Sequence, residues 1–381
     1  MNSLFHMVRR GIFMNSNDYF DICVIGDGIA SKVFLWNLIT NTTQTTSVSK
    51  SQNLTIAVVS NDKMAPACTL RSSATVSLNG ISEDVSPLGN DMREAYFLFD
   101  DFFKNHQPKG VIPVNRVVVA TNEKETQKLS RRYKEINTIT SSQIKGEYLG
   151  IEYLSYLLSP KELLNWFDTE RERLDPKKNI QSFNFFVTSI KNLQDGFLIS
   201  DSHGHEVKAK KIVLATGAFA KVYQHFFHDL IGSEKEAKSE IKAGFYLERT
   251  IDLGTDSFYL SIDGTNILYR HSNEKNAESF LQIGSVSVLG AFPIPPEKEI
   301  LDLLEKTRSK LNIEIGKRED FQVICGLRHK APKRMIEAIE STLTKNVFHL
   351  NGYYKNGFSM SFLGAKRMEK LLNNKNVAGP I

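Results

Sequence analysis

The sequence predicts an α/β protein of two domains, a parallel-sheet domain interrupted by an antiparallel sheet. Three observations predict it. Near the start, "FDICVIGDGIASKVFLWNL" (residues 20–38) runs from a short apolar stretch through a glycine turn into an apolar helix. Far downstream, "KIVLATGAF" (residues 211–219) repeats the pattern of a short buried strand ending in a glycine turn. Between and after them, apolar and polar residues alternate between turn signals, the period of half-buried antiparallel strands.

The elements follow in order. Residues 22–25 are apolar, β-branched and stopped by Gly26, hence a buried strand, and Val33, Phe34, Trp36 and Leu38 suit a helix packed on a sheet. "NTTQTTSVSKSQN" (residues 41–53) is polar and Ser/Thr-rich, a long loop, and "LTIAVVS" (residues 54–60) is the next buried strand. Strand, turn, helix and strand make a βαβ unit, the core of a Rossmann-like domain. "GVIPVNRVVVAT" (residues 110–121) is strand-like. "SPKELLNWFDTERERL" (residues 159–174) opens a helix with Ser159 as N-cap, Pro160 at the first position and Glu162 at the third. Residues 183–220 read as a hairpin with turns at Asp195-Gly196 and His203-Gly204, ending in a buried strand over 212–215. His203 and His205 are turn residues rather than metal ligands. Residues 242–290 read as antiparallel strands with turns at Leu253-Gly254 and Asp263-Gly264. An amphipathic helix (296–311), a strand ("FQVICGLR", 321–328) and a closing helix (360–372) complete the chain.

This order assigns residues 18–90, 160–235 and 320–381 to the parallel domain, and 91–159 and 236–319 to the antiparallel one. Residues 1–17 read as a flexible extension, with Met7 and Met14 as alternative starts.

The 381 residues are 41% apolar, enough for a sizeable core. The 48 basic and 43 acidic residues leave a charge of +5 with no basic block, so nucleic acid is not an expected partner. Cys23, Cys68 and Cys325 form neither a disulfide framework nor a zinc spacing, which fits a reducing, cytoplasmic setting and no metal. No apolar run reaches membrane-span length, so no membrane partner is expected, and the first residues lack the apolar segment of a signal peptide. Oligomeric state is not legible.

The glycine turn points to a nucleotide. Gly26 permits the tight turn, Gly28 lets backbone approach a pyrophosphate at the positive N-terminus of the following helix, and Ile29 and Ala30 of the loop are candidates for contact with it. Ser31 stands where the fingerprint has its third glycine; like Ala30 it is small enough for close helix–strand packing. The carboxylate that normally ends the second strand is replaced by Ser60 and Asn61, followed by Asp62. Ser60 or Asn61 can hydrogen-bond a ribose without charge assistance. Thr216 and Gly217 let a second turn pass close to the same nucleotide.

Five stretches, in order, resemble the D-amino-acid oxidase-like family of FAD enzymes, which includes glycine and sarcosine oxidases. They are "VIGDGIAS", "LLSPKELLNWF", "VKAKKIVLATGAF", "ICGLRHKAP" and "NGYYKNGFSMSFLGAKRMEKLL", together spanning nearly the whole chain. The resemblance implies a p-hydroxybenzoate-hydroxylase-like fold, with a Rossmann-like FAD-binding domain and an antiparallel substrate domain over the flavin. It implies FAD as cofactor, a small amine or amino acid as substrate, and oxidation of its C–N bond by hydride transfer to flavin, the electrons passing to oxygen or another acceptor. Within that likeness, Arg328 matches the arginine that clamps the substrate carboxylate. Lys355, Asn356 and Gly357 match the loop beside the flavin, and residues 359–362 would present backbone N–H groups near a helix N-terminus to the ring, which makes Phe358, Ser359 and Met360 cofactor-binding candidates. Cys325, next to Gly326, stands where sarcosine oxidases bond the flavin covalently. Arg71 and Ser72 are either loop-surface residues or contacts for flavin or phosphates, and Tyr353, Tyr354, Tyr259 and Tyr269 are either ordinary core or rim tyrosines or an aromatic wall on the substrate side. The chain departs from the family at His329, which replaces a proline, in the charged "RMIEAIEST", and in residues 67–89, which lack paired glycines. Two other readings stay open: a flavoprotein acting on tRNA or on a partner protein's cofactor, and a non-catalytic scaffold.

Overall fold

The computed structural model describes residues 19–44, 54–64, 67–78, 86–133, 135–223, 240–272, 278–287 and 294–374. The expected extension over 1–17 and most of the Ser/Thr-rich loop lie outside them.

The first sheet is built around β1 (Phe20–Ile25), buried on both faces. It pairs in parallel with β2 (Ile56–Ser60) and β10 (Glu206–Leu214). β7 (Ile180–Asn184) and β17 (Val347–Asn351) continue the parallel array, giving the order β17-β10-β1-β2-β7. Continuous apolar runs are what a parallel sheet covered on both sides requires. β16 (Glu337–Glu340), β9 (Gly196–Ser200) and β8 (Ser189–Leu193) join it antiparallel. One face packs on α1 (Ile29–Gln44), α2 (Pro87–His106), α4 (Pro160–Leu174) and α6 (Gly357–Asn374). The opposite face is covered by Phe185, Phe197, Ile199 and Tyr223.

The second sheet has nine strands. Its order is β15 (Gln322–Lys330), β11 (Glu240–Thr250), β14 (Phe280–Ser287), β13 (Thr265–Arg270), β12 (Phe258–Ile262), β4 (Val111–Ala120), β6 (Tyr148–Leu158) and β3 (Thr75–Ser77). β5 (Asn137–Ile139) pairs with β6, and α5 (Glu297–Arg308) packs on the outer apolar face; α3 (Glu123–Arg132) follows β4.

The structure departs from the sequence reading in several places. The second sheet is mixed, because β12 and β4 run parallel. β3 and β15 belong to the second sheet, although the sequence groups their residues with the parallel domain. α2, assigned to the antiparallel domain, packs against α6 instead: Ala95, Tyr96, Phe99 and Phe102 join the core of the first layer. α1 continues through Thr42 and Thr43 to Gln44, past the expected loop boundary. Ser159 caps α4 without its side chain.

Candidate functional site

The turns after β1 and β10 meet. Gly26 has φ +110°, and a Cβ there would lie 2.3 Å from the Ala215 carbonyl oxygen, so only glycine fits. Ser31 is fully buried, and its hydroxyl donates to the Gly26 carbonyl at 2.6 Å, tying the helix back onto the turn. Above Gly28 sits Thr69, whose Oγ1 accepts the Ile29 N–H at 3.1 Å. Asp27, inside the turn, is raised by burial, and the buried Lys32 counters this from 2.8 Å while also lying 2.6 Å from Asp168. The negative charge beside the turn is thus compensated within the protein.

A groove runs outward from this turn. At one end lie Ser60, Asn61 and Asp62, facing Phe185, Phe186 and Val187. The Asn61 side chain accepts the Met64 N–H at 2.9 Å and so serves its own turn. Thr216 borders the groove, and its buried Oγ1 has no hydrogen-bond partner among the described residues. Beside it Gly217 adopts φ +53°, and its carbonyl accepts from Asn351 Nδ2 at 2.8 Å.

At the other end the N-terminus of α6 approaches that of α1: a Cβ on Gly357 would lie 3.8 Å from Ile29 Cγ2. Asn356 precedes α6, and its carbonyl accepts the Met360 N–H at 2.9 Å. Phe358 and Met360 are buried, and the Met360 N–H is already committed to Asn356. A cavity here is lined by Cys68, Ser72, Arg328, Tyr354, Lys355 and Gly357. Arg328 is buried, its guanidinium lies over Gly244, and Nη1 has no hydrogen-bond partner among the described residues. The Lys355 side chain reaches solvent, yet lost hydration and then repulsion from Arg328 and Arg334 hold its ammonium below the usual lysine range. A neighbouring cavity of about 300 Å³ is lined by Arg116, Tyr259, Asn266, Arg334, Tyr354 and Lys355, among others. In its wall Arg116 donates to Ser77 at 3.0 Å, Ser261 at 3.2 Å and Asn266 at 3.3 Å.

No protein-family model and no curated protein matches the sequence. Solved structures do. Glycine oxidase from Bacillus cereus ATCC 14579 superposes with a TM-score of 0.72 at 16% identity, over 93% of this chain and 95% of that one. Iminodiacetate oxidase from Chelativorans sp. BNC1 gives 0.70 at 13%, over 94% and 97%. L-α-glycerophosphate oxidase from Mycoplasma pneumoniae, solved with FAD bound, gives 0.70 at 14%, over 93% and 95%. The chain has the two-domain fold of these oxidases. Both sheets are therefore covered by the similarity, and the fold implied by the sequence resemblance is the one observed.

The structure brings together Gly26, Gly28, Ile29, Ala30, Ser60, Asn61, Thr216, Gly217 and Arg328 along one groove, with Ser72, Lys355, Gly357 and Phe358 on the adjoining cavity. Asn356 and Ser359 line the neighbouring one. Cys325 is a correction. Successive strand residues face opposite ways, so with Arg328 turned to the groove, Cys325 packs with Val323 and Leu327 on the outer core. The thiol at the groove is Cys68, against Gly326. Tyr269 takes the core role: it is buried in the outer core, its hydroxyl accepting the Leu253 N–H. Arg71 is exposed and meets Gly326 through its carbonyl, not its guanidinium. Tyr353 borders the groove, but its hydroxyl is buried over Gly364 of α6. Thr69, Cys68, Asn351 and Arg116 escape the sequence reading, because each reaches the site through a partner distant in sequence and carries no local motif.

Proposed function

We propose that the chain is an FAD-dependent oxidoreductase that oxidises the C–N bond of a small amine or amino acid. The observation that carries this reading is one continuous groove. It joins a glycine turn, a buried hydroxyl at Thr216 and a buried arginine at 328, and among the described residues neither Thr216 Oγ1 nor Arg328 Nη1 has a hydrogen-bond partner. These residues fit FAD. The N-terminus of α1, with Gly28, Ile29 and Ala30, would receive the pyrophosphate, where N–H groups and the helix dipole favour negative charge. Ser60 would meet the ribose and Thr216 would donate to the dinucleotide. When bound, FAD supplies a hydride acceptor for the carbon bearing the amine. Asn356 and Gly357 would set the N-terminus of α6 beside the ring, where developing negative charge is stabilised. Arg328 would clamp a carboxylate by paired N–H donors and so orient the substrate. The names of glycine oxidase, iminodiacetate oxidase and L-amino acid deaminase, all of similar fold, support this choice of substrate class. The reading includes a cytoplasmic location, which would keep the free Cys23, Cys68 and Cys325 reduced. No helix among the described residues is long and apolar enough to cross a membrane.

The test is the visible spectrum of the purified full chain, with and without added FAD, followed by reduction of the bound flavin with a panel of amines and amino acids. Flavin absorption that bleaches with an amine supports the reading. A colourless protein that refuses FAD overturns it. Acid precipitation should release all flavin into the supernatant, because Cys325 faces the outer core.

A further inference from the structure

We propose that the substrate carries a second anionic group, received by Arg334 and Lys355 in the cavity beyond Tyr354. This deepens the amine-oxidising reading and rests on it.

The two cavities at the end of the groove share Ser73, Thr75, Tyr354 and Lys355. Arg328 lines the first; Arg116 and Arg334 line the second. A ligand with a carboxylate on Arg328 therefore needs only a short chain to enter the second cavity. At about 300 Å³ that cavity suits a small ligand. Among its described lining residues are Arg116, Arg334 and Lys355 but no carboxylate. The Arg334 guanidinium and the Lys355 ammonium each stand 5.7 Å from the Tyr354 ring centroid. Neither forms an ion pair among the described residues, although exposed cations elsewhere, such as Lys366 with Glu94, do. The backbone that presents them is held in the left-handed region, at Lys333 (φ 54°), Arg334 (φ 60°) and Tyr354 (φ 48°). Such conformations cost energy in non-glycine residues and recur at ligand clamps. Like charges gathered in one cavity repel, and an anion placed between them relieves that repulsion. A monocarboxylate on Arg328 leaves it unrelieved; a dianion reaching past Tyr354 does not.

The test uses non-reacting probes on the FAD-loaded full chain: butyrate, succinate and 3-phosphonopropionate, similar in length and differing in the far end. Binding is read from the flavin absorbance shift and, independently, from the rise in Tm. Succinate or 3-phosphonopropionate should bind about tenfold or more tighter than butyrate, since hydrogen bonds to charged groups are the stronger class. Their ranking tells a carboxylate end from a phosphate end. Arg334→Gln should reduce that advantage with butyrate affinity unchanged, and Arg334→Gln with Lys355→Gln should abolish it. Arg334 is exposed, so its replacement leaves the core intact. Equal affinity for butyrate and both dianions, no dianion binding, or an advantage that survives the double variant overturns the proposal. A chain that binds FAD and oxidises amines yet ranks the probes equally fails this inference alone. A chain that refuses FAD fails the functional reading beneath it.

Discussion

Arg328 lies buried over Gly244 with Nη1 unmatched, so its charge is held ready for an acceptor that the described chain does not supply. Arg328→Lys keeps the charge and loses the fork; its dissociation constant for a monocarboxylate such as butyrate should rise about tenfold, with FAD affinity unchanged. Gly244→Ala should act in the same direction through the guanidinium, because the added methyl would lie 2.5 Å from Nη1. Calorimetric titration of both variants checks this; full butyrate affinity in both removes Arg328 from the clamp role. Lys32 has a different part, neutralising Asp27 and Asp168. Lys32→Met strands Asp27 beside the phosphate turn, while Asp168 keeps Arg171 at 3.3 Å. Both carboxylates are about a third exposed (31% and 36%), so solvent blunts the loss. A cost of roughly 2 kcal/mol in a urea melt is expected, together with weaker FAD binding. Residues of this kind divide by legibility. Gly26, Gly28 and Arg328 stand in motifs of fixed spacing and can be read from the sequence. Thr69 meets Ile29 across 40 positions, and Arg116 meets Ser261 across 145. No local pattern encodes such meetings.

Among the elements, α6 shows how a helix is fixed by one absent side chain. Gly364 lies within it, where alanine would gain about 1 kcal/mol in helix propensity. The same methyl would stand 2.2 Å from the Tyr353 hydroxyl and 3.0 Å from its ring, both buried. Overpacking of that kind costs about 1–3 kcal/mol, so packing outweighs propensity. Gly364→Ala should therefore lower Tm, and, because Tyr354 and Lys355 follow Tyr353, weaken FAD binding as well. An unchanged or raised Tm would show that Tyr353 moves aside freely. The helices and buried strands were readable because apolar period and turn residues act locally. The parallel pairing of β12 with β4 was not, since strand direction depends on where the intervening chain travels.

At the scale of the whole molecule, a buried cluster joins the two sheets. His329 on β15 and His349 on β17 approach Glu337 on β16 at 3.2 and 3.3 Å. Burial, aided by His329 and opposed by Glu337, pushes His349 down from 6.5 to about 4. The unfolded chain thus takes up a proton below about 6.5 that the folded chain refuses until about 4. Its contribution is complete above that window and is lost as pH falls through it. Unfolding free energy measured against pH should decline over this range, and His349→Gln should flatten the slope by up to one proton; an unaltered slope would mean that another group is responsible. His329 stands where the sequence reading found only a departure from a proline, and its partners explain it. The domain limits were less legible for a related reason. Residues of α2 look alike whichever layer they serve, and only the docking on α6 decides.

That chain path has a consequence for synthesis. β1 must wait for β10, which emerges some 190 residues later by the register of Phe20 with Ala209, before its second edge is covered. β15, β16, β17 and α6 follow the other strands and helices described, and among them carry Arg328, Asn351 and Gly357. At about 5–20 residues per second, a ribosome spends tens of seconds extruding strands whose partners do not yet exist. The nascent chain can assemble neither groove nor clamp until α6 is free of the exit tunnel, so chaperone dependence should fall on the first sheet.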